Sequence, residues 1–146
     1  MSESLLDTQI PSNTTKGLEV QEQIIALMEK HEYSMRDVFA MRLSLEEAIT
    51  NAIKHGNQDD ESKLVTIHAR IGEHGLHIEV TDEGEGFDPD EVPDPTSGDF
   101  IHRASGRGLM LMRAYLDNVC FIEGGRKIVM ERTRNSELPI VEDDDE

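Results

Sequence analysis

The chain has 146 residues, enough for one compact domain, with no tryptophan, an aliphatic rather than aromatic apolar content and a formal charge of −17. That excess of acid excludes nucleic acid and anionic membrane surfaces as direct partners, because both would repel it, and favours basic partners. One cysteine excludes an internal disulfide framework. With no signal-peptide pattern and no apolar run near membrane-spanning length, the expectation is a soluble cytoplasmic single domain.

Residues 1–10 form a polar N-terminal segment that allows a short strand around 5–10. Pro11-Ser12-Asn13 then supplies a turn and an N-cap for a first helix, which carries Val20, Ile24, Leu27 and Met28 at helical spacing. His31-Glu32-Tyr33 interrupts that pattern, and Ser34 or Asp37 starts a second helix. On its wheel Val38, Met41, Leu45, Ala48, Ile49 and Ala52 make one apolar stripe for the core. Glu47, Asn51 and Lys54 make a polar stripe roughly 100–160° away. Gly56 is the expected stop, since glycine accepts the left-handed conformation at a helix end.

Residues 57–62 read as a polar loop. Val65, Ile67, Ala69 and Ile71 alternate with polar residues, as do Leu76, Ile78 and Val80, and Gly72-Glu73-His74-Gly75 joins the two runs as a hairpin. His68 and His77 fall diagonally on its outer face as solvated positions, and the histidines lack zinc spacing with Cys120. Residues 83–105 have no periodicity, and a loop of that length is either functional or disordered. A helix follows over about residues 106–117, with Leu109, Met112 and Leu116 inward and Met110 and Met112 as core filler. Residues 119–122 and 127–133 are two more strands around Gly124-Gly125, with Cys120 in the first, among Val119, Phe121 and Ile122, as a small buried hydrophobe. Residues 135–146 read as an acidic, disordered tail ending in a charge run. The order of elements implies an α+β, two-layer sandwich: a mostly antiparallel sheet with helices on one face, spanning 11–134.

Three constellations carry candidate chemistry. Glu47 and Asn51, at i and i+4, are neighbours on one helix edge. The amide oxygen suits a hard cation such as Mg²⁺, and the carboxylate suits proton abstraction; the alternative is a plain solvated face. Asp82 continues the inward face of Leu76, Ile78 and Val80, where an acid is costly without a partner such as a ligand amino group. Gly84 and Gly86 follow it and permit close approach to the backbone; the alternative is an acidic turn. Gly106-Arg107-Gly108-Leu109 opens a helix and leaves free N–H groups suited to an anion, with Arg103 and Arg107 either adding charge or merely solvated.

In this order the three motifs resemble the N box, Glu47-x-x-x-Asn51, and the two glycine boxes, Asp82-x-Gly84-x-Gly86 and Gly106-x-Gly108-Leu109, of the ATP-binding domain shared by gyrase-type topoisomerases, histidine kinases, and mismatch-repair and chaperone ATPases. The run Glu-Ala-Ile-Thr-Asn-Ala-Ile-Lys-His-Gly resembles the serine-protein kinase branch that acts as anti-sigma factors. The resemblance implies a Bergerat-type fold binding ATP and Mg²⁺. It implies Asn51 on the metal, Asp82 on the adenine amino group with Gly84 and Gly86 shaping that side, and Gly106, Gly108 and neighbouring amides around the phosphates beneath a lid at 87–105. Glu47 is then the base toward a partner's serine or threonine, and Lys54 or His55 touches phosphate. The implied partners are a sigma factor and a phosphorylatable STAS-type antagonist, with a homodimer favoured. The alternative function is a non-catalytic ATP-binding switch.

Overall fold

The computed structural model of the chain describes residues 3–85 and 107–140. In order it contains β1 (Ser4–Pro11), α1 (Thr14–Lys30), α2 (Met35–Asn51), a π-turn at Ala52–Gly56, β2 (Leu64–Ile71), β3 (Gly75–Thr81), α3 (Arg107–Tyr115), β4 (Asn118–Ile122), a 3₁₀ turn at Glu123–Gly125 and β5 (Lys127–Thr133). The expected sandwich is present. Five antiparallel strands run in the order β1-β2-β3-β5-β4. Among the described residues no helix is long and apolar enough to cross a membrane.

Local chemistry starts α1 and α2. The Asn13 side chain accepts the Lys16 N–H at 3.1 Å and caps α1. At α2 the two candidate starts prove to be two halves of one capping box. Ser34 Oγ accepts the Asp37 N–H at 3.1 Å, and Asp37 returns the bond to the Ser34 N–H at 3.2 Å. The apolar stripe of α2 lies against the sheet as its spacing predicts: Met41, Leu45, Ala48, Ile49 and Ala52 are buried.

One face of the sheet supplies the other half of the core. Val65, Ile67, Ala69 and Ile71 of β2, Leu76, Ile78 and Val80 of β3, and Ile128 and Met130 of β5 pack against α1, α2, Leu109 and Met112. The opposite face is polar. His68 and His77 stand diagonally on it, since His68 pairs with Glu79 and His77 with Arg70. His77 is more than a solvated position: its ring is bonded to Glu131 at 2.7 Å and Glu79 at 2.8 Å. Burial opposes the charged ring, but the two carboxylates outweigh it and raise its pKa, while the His77 bond lowers both carboxylates.

Two expectations are corrected by period. Cys120 is exposed. β4 is an edge strand that turns only Val119 and Phe121 toward the core, so Cys120 shares the outer face with Asn118 and Ile122. Met110 is 65% exposed while Met112 is fully buried, because two residues of helix rotate a side chain by roughly 200°.

A buried ion pair locks the end of the molecule where α2 begins. Arg132 of β5 and Asp37 are both wholly inaccessible, and Arg132 Nε donates to Asp37 Oδ1 at 2.9 Å. Arg132 also donates to the carbonyls of Tyr115 at 2.5 Å and Ser136 at 3.2 Å, and the Asn135 N–H meets Asp37 Oδ2 at 2.8 Å. Arg36 holds the carbonyls of Glu137 and Pro139. The stretch just after β5 is thus bonded to the domain rather than loose; residues 141–146 lie outside the described residues.

Candidate functional site

α2 does not simply stop at Gly56. It widens into the π-turn, closed by the Asn57 N–H on the Ala52 carbonyl at 2.8 Å. Single π-turns inside or at the end of α-helices occur often at functional sites. The left-handed residues come later, at Gln58 (φ 54°) and Asp59 (φ 59°). Gly56 therefore does not act as a left-handed cap, and its requirement for glycine is steric. A Cβ there would stand 2.3 Å from the Asp82 carboxyl carbon.

Asp82 directly follows β3 and continues its inward face, 5% exposed, as alternation predicts. Its N–H donates to the Arg126 carbonyl at 2.9 Å, and its Oδ1 accepts the Gly84 N–H at 2.8 Å. Gly84 in turn lies against Gly56: a Cβ at Gly84 would meet the Gly56 carbonyl oxygen at 2.0 Å. The first glycine box and the end of α2 are in direct backbone contact.

Asn51 and Asp82, which are 31 positions apart in sequence, line one small cavity, together with Ala48, Phe121, Gly125 and Arg126; its volume of about 20 Å³ is little more than one water-sized sphere. Glu47, one turn before Asn51, stands beside the opening of α3: a Cβ at Gly108 would lie 2.1 Å from Glu47 Oε2. Leu109 is buried behind it. A carboxylate, an amide and the positive end of a nine-residue helix thus gather around the exit of α2.

Not every candidate joins this group. Lys54 and His55 are exposed on the π-turn and do not line the cavity. The turn explains this, because widening a helix rotates the residues after Asn51 off the Glu47–Asn51 edge. Arg107 opens α3. Gly86, Gly106, Arg103 and the expected lid at 87–105 lie outside the described residues.

The hairpin at Gly124-Gly125 is as expected, with both glycines left-handed (φ 68° and 87°). Its contribution to the cavity was not legible. Phe121, Gly125 and Arg126 reach Asp82 only because β5 pairs with β3 in the register Thr81↔Lys127. Asn57, read as loop, is fully buried.

Comparison with known proteins agrees with this fold. The model of the histidine kinase-like ATPase domain matches residues 10–132. An anti-sigma F factor of Clostridium perfringens is 34% identical over 109 residues, covering 70% of this chain and 77% of the relative. A serine-protein kinase RsbW of Listeria innocua is 28% identical over 113 residues, covering 70% of each. The crystal structure of the RsbU and RsbW domains of Rv1364c from Mycobacterium tuberculosis superposes with a TM-score of 0.62 at 14% identity, over 90% of this chain and 31% of that one. At that identity the match speaks to fold alone.

Proposed function

The chain belongs to the family of histidine kinase-like ATPase domains, and from that premise we propose that it is an ATP-dependent serine/threonine protein kinase of the anti-sigma type. It sequesters a sigma factor and phosphorylates that factor's antagonist. Relatives named anti-sigma F factor and serine-protein kinase RsbW support the reading. The observation that carries it is the shared cavity of Asn51 and Asp82.

The residues present fit a nucleotide with Mg²⁺. Asp82 is a buried acceptor for an adenine amino group, placed where Gly56 and Gly84 leave no side chain in the way. Asn51 offers an amide oxygen to the cation. The first N–H groups of α3, at Arg107, Gly108 and Leu109, offer an anion cradle, which Gly106 extends in sequence as Gly86 extends the first box. When bound, magnesium-ATP supplies the phosphoryl group and screens its charge. Glu47, beside Gly108 at the opening of α3, takes the proton of the partner's serine or threonine hydroxyl onto its carboxylate. The antagonist is of STAS type, the working form is a homodimer and the compartment is the cytoplasm; these three statements rest on the resemblance alone.

The test is transfer of labelled phosphate from ATP to a STAS-type antagonist from the same cell. Wild type should transfer it, and Glu47→Gln should slow transfer by roughly 10²–10⁴-fold while still binding nucleotide. Transfer by Glu47→Gln at the wild-type rate removes Glu47 as the base. Binding without transfer in both proteins replaces the kinase with an ATP-dependent switch.

A further inference from the structure

Asn57 has no part in the proposed chemistry, yet its side chain is thoroughly engaged. It is fully buried. Its amide oxygen accepts the Glu83 N–H at 2.7 Å. Its amide nitrogen donates to Ser12 Oγ and to the Leu64 carbonyl, each at 3.0 Å. Two further bonds brace the partners: Ser12 Oγ donates to the Lys63 carbonyl at 2.9 Å, and the Glu83 carboxylate returns to the Leu64 N–H at 2.7 Å. One side chain therefore ties the exit of α2 to the end of β1, the start of β2 and the turn after β3.

That turn is the one that presents Asp82. Glu83, whose N–H Asn57 holds, is the next residue, and Gly84 donates to Asp82 Oδ1 at 2.8 Å. Gly56, the residue before Asn57, touches the Asp82 carboxylate and the Gly84 backbone with no side chain between them. Two left-handed residues, Gln58 and Asp59, follow at once. Such conformations cost of order 1–3 kcal/mol each when non-glycine residues adopt them, and they persist only where the surroundings over-determine them. Here the Asp59 N–H on the Ile53 carbonyl and the Asp60 N–H on the Asn57 carbonyl do so, at 2.8 and 3.1 Å.

We propose that Asn57 is the positioning residue for base selection: its buried amide clasps the exit of α2 to the turn after β3 and so fixes where the Asp82 carboxylate meets a 6-amino group on a purine. The proposal rests on the reading of Asp82 as the adenine acceptor. A hydrogen bond holds its strength over only a few tenths of an ångström, so a turn released from Asn57 loses the amino-group contact first. The phosphates at α3 and the cation at Asn51 do not depend on it.

The experiment is calorimetric binding, with Mg²⁺, of ATP and of purine riboside triphosphate, which lacks the 6-amino group. The quantity read is the ratio of the two affinities, because partial unfolding lowers both equally and leaves the ratio alone. Wild type should prefer ATP, and Asn57→Ala should lower the ratio by roughly tenfold, with purine riboside triphosphate held to within about twofold of wild type. Ser12→Ala, which removes one of the two acceptors that anchor the amide, should lower the ratio in the same direction by less. An unchanged ratio in folded Asn57→Ala overturns the proposal; if that variant does not fold, an unchanged ratio in Ser12→Ala overturns it. Asp82→Asn separates the two layers: if wild type shows no preference, or if Asp82→Asn keeps it, the adenine reading of Asp82 fails, whatever Asn57 does.

Discussion

The two ends of α2 each gather buried acid and amide groups, and they are built on opposite plans. At the N-terminal end Asp37 is wholly enclosed, and its charge is answered inside the protein by Arg132 at 2.9 Å. The capping box and the Asn135 N–H take the remaining acceptor positions. At the C-terminal end the helix opens into a π-turn, Glu47 and Asn51 remain half-buried, and Asp82 lies on the wall of a cavity. Asp37 meets its counter-charge in the core, whereas Asp82 accepts the Gly84 N–H and borders a cavity. The difference is visible only in three dimensions, since Asp37 and Asp82 are the same residue type at similar burial.

Paired substitutions break or sharpen that contrast. The largest effect is expected at the closed end. Asp37→Ala strands the Arg132 charge in the core and should cost about 3–5 kcal/mol in denaturant unfolding. Asp82→Asn keeps the shape of the open end and should change unliganded stability by about 1 kcal/mol or less. It should instead remove most of the roughly 2.7 kcal/mol by which ATP at about one hundred times its dissociation constant stabilises wild type. Equal losses of unliganded stability at the two aspartates would abolish the distinction drawn here.

Gly84→Ala comes next. Its methyl group would be driven against the Gly56 carbonyl, a backbone atom that cannot swing aside. A stability loss of about 1–3 kcal/mol is expected. Nucleotide affinity should fall as well, measured by calorimetry on the folded fraction. A variant as stable and as tight-binding as wild type would mean that the two backbones are not in contact.

The sequence carries the local half of this contrast. The period of α2 placed Glu47 and Asn51 on one edge, and strict alternation carried Asp82 inward, because both signals are local. The spacing of glycines marked Gly84 and Gly108. What local signals do not encode is which distant segment arrives beside them. Gly56 read as a helix stop, although its lack of a side chain makes room for Asp82. Asn57 read as loop and Arg132 as one position in a strand, and Arg126 carried no signal of its own. Each takes its place from strand pairing or from an enclosed network that no short window contains. The π-turn that sends Lys54 and His55 outward has no signature of this kind either.

The smallest effect is expected on the outer face of the sheet, away from both ends of α2. The folded pKa of His77 is raised above its ordinary 6.5, so its contribution is complete below that value and is lost as pH rises through the folded pKa. Glu79 and Glu131 are lowered from 4.5, so theirs is present above that value and is lost as pH falls. The cluster therefore stabilises most between 4.5 and 6.5. His77→Gln should flatten the decline in stability above pH 6.5, read from urea unfolding across that range, and should leave nucleotide binding unchanged. An unaltered slope would show that His77 does not carry the proton.

The most direct measurement is a crystal structure with a non-hydrolysable ATP analogue and Mg²⁺. The account predicts the adenine amino group within hydrogen-bond reach of Asp82, about 2.7–3.2 Å, and the cation on Asn51 Oδ1, with both groups in one cavity. A nucleotide bound elsewhere, or an adenine turned away from Asp82, would contradict it.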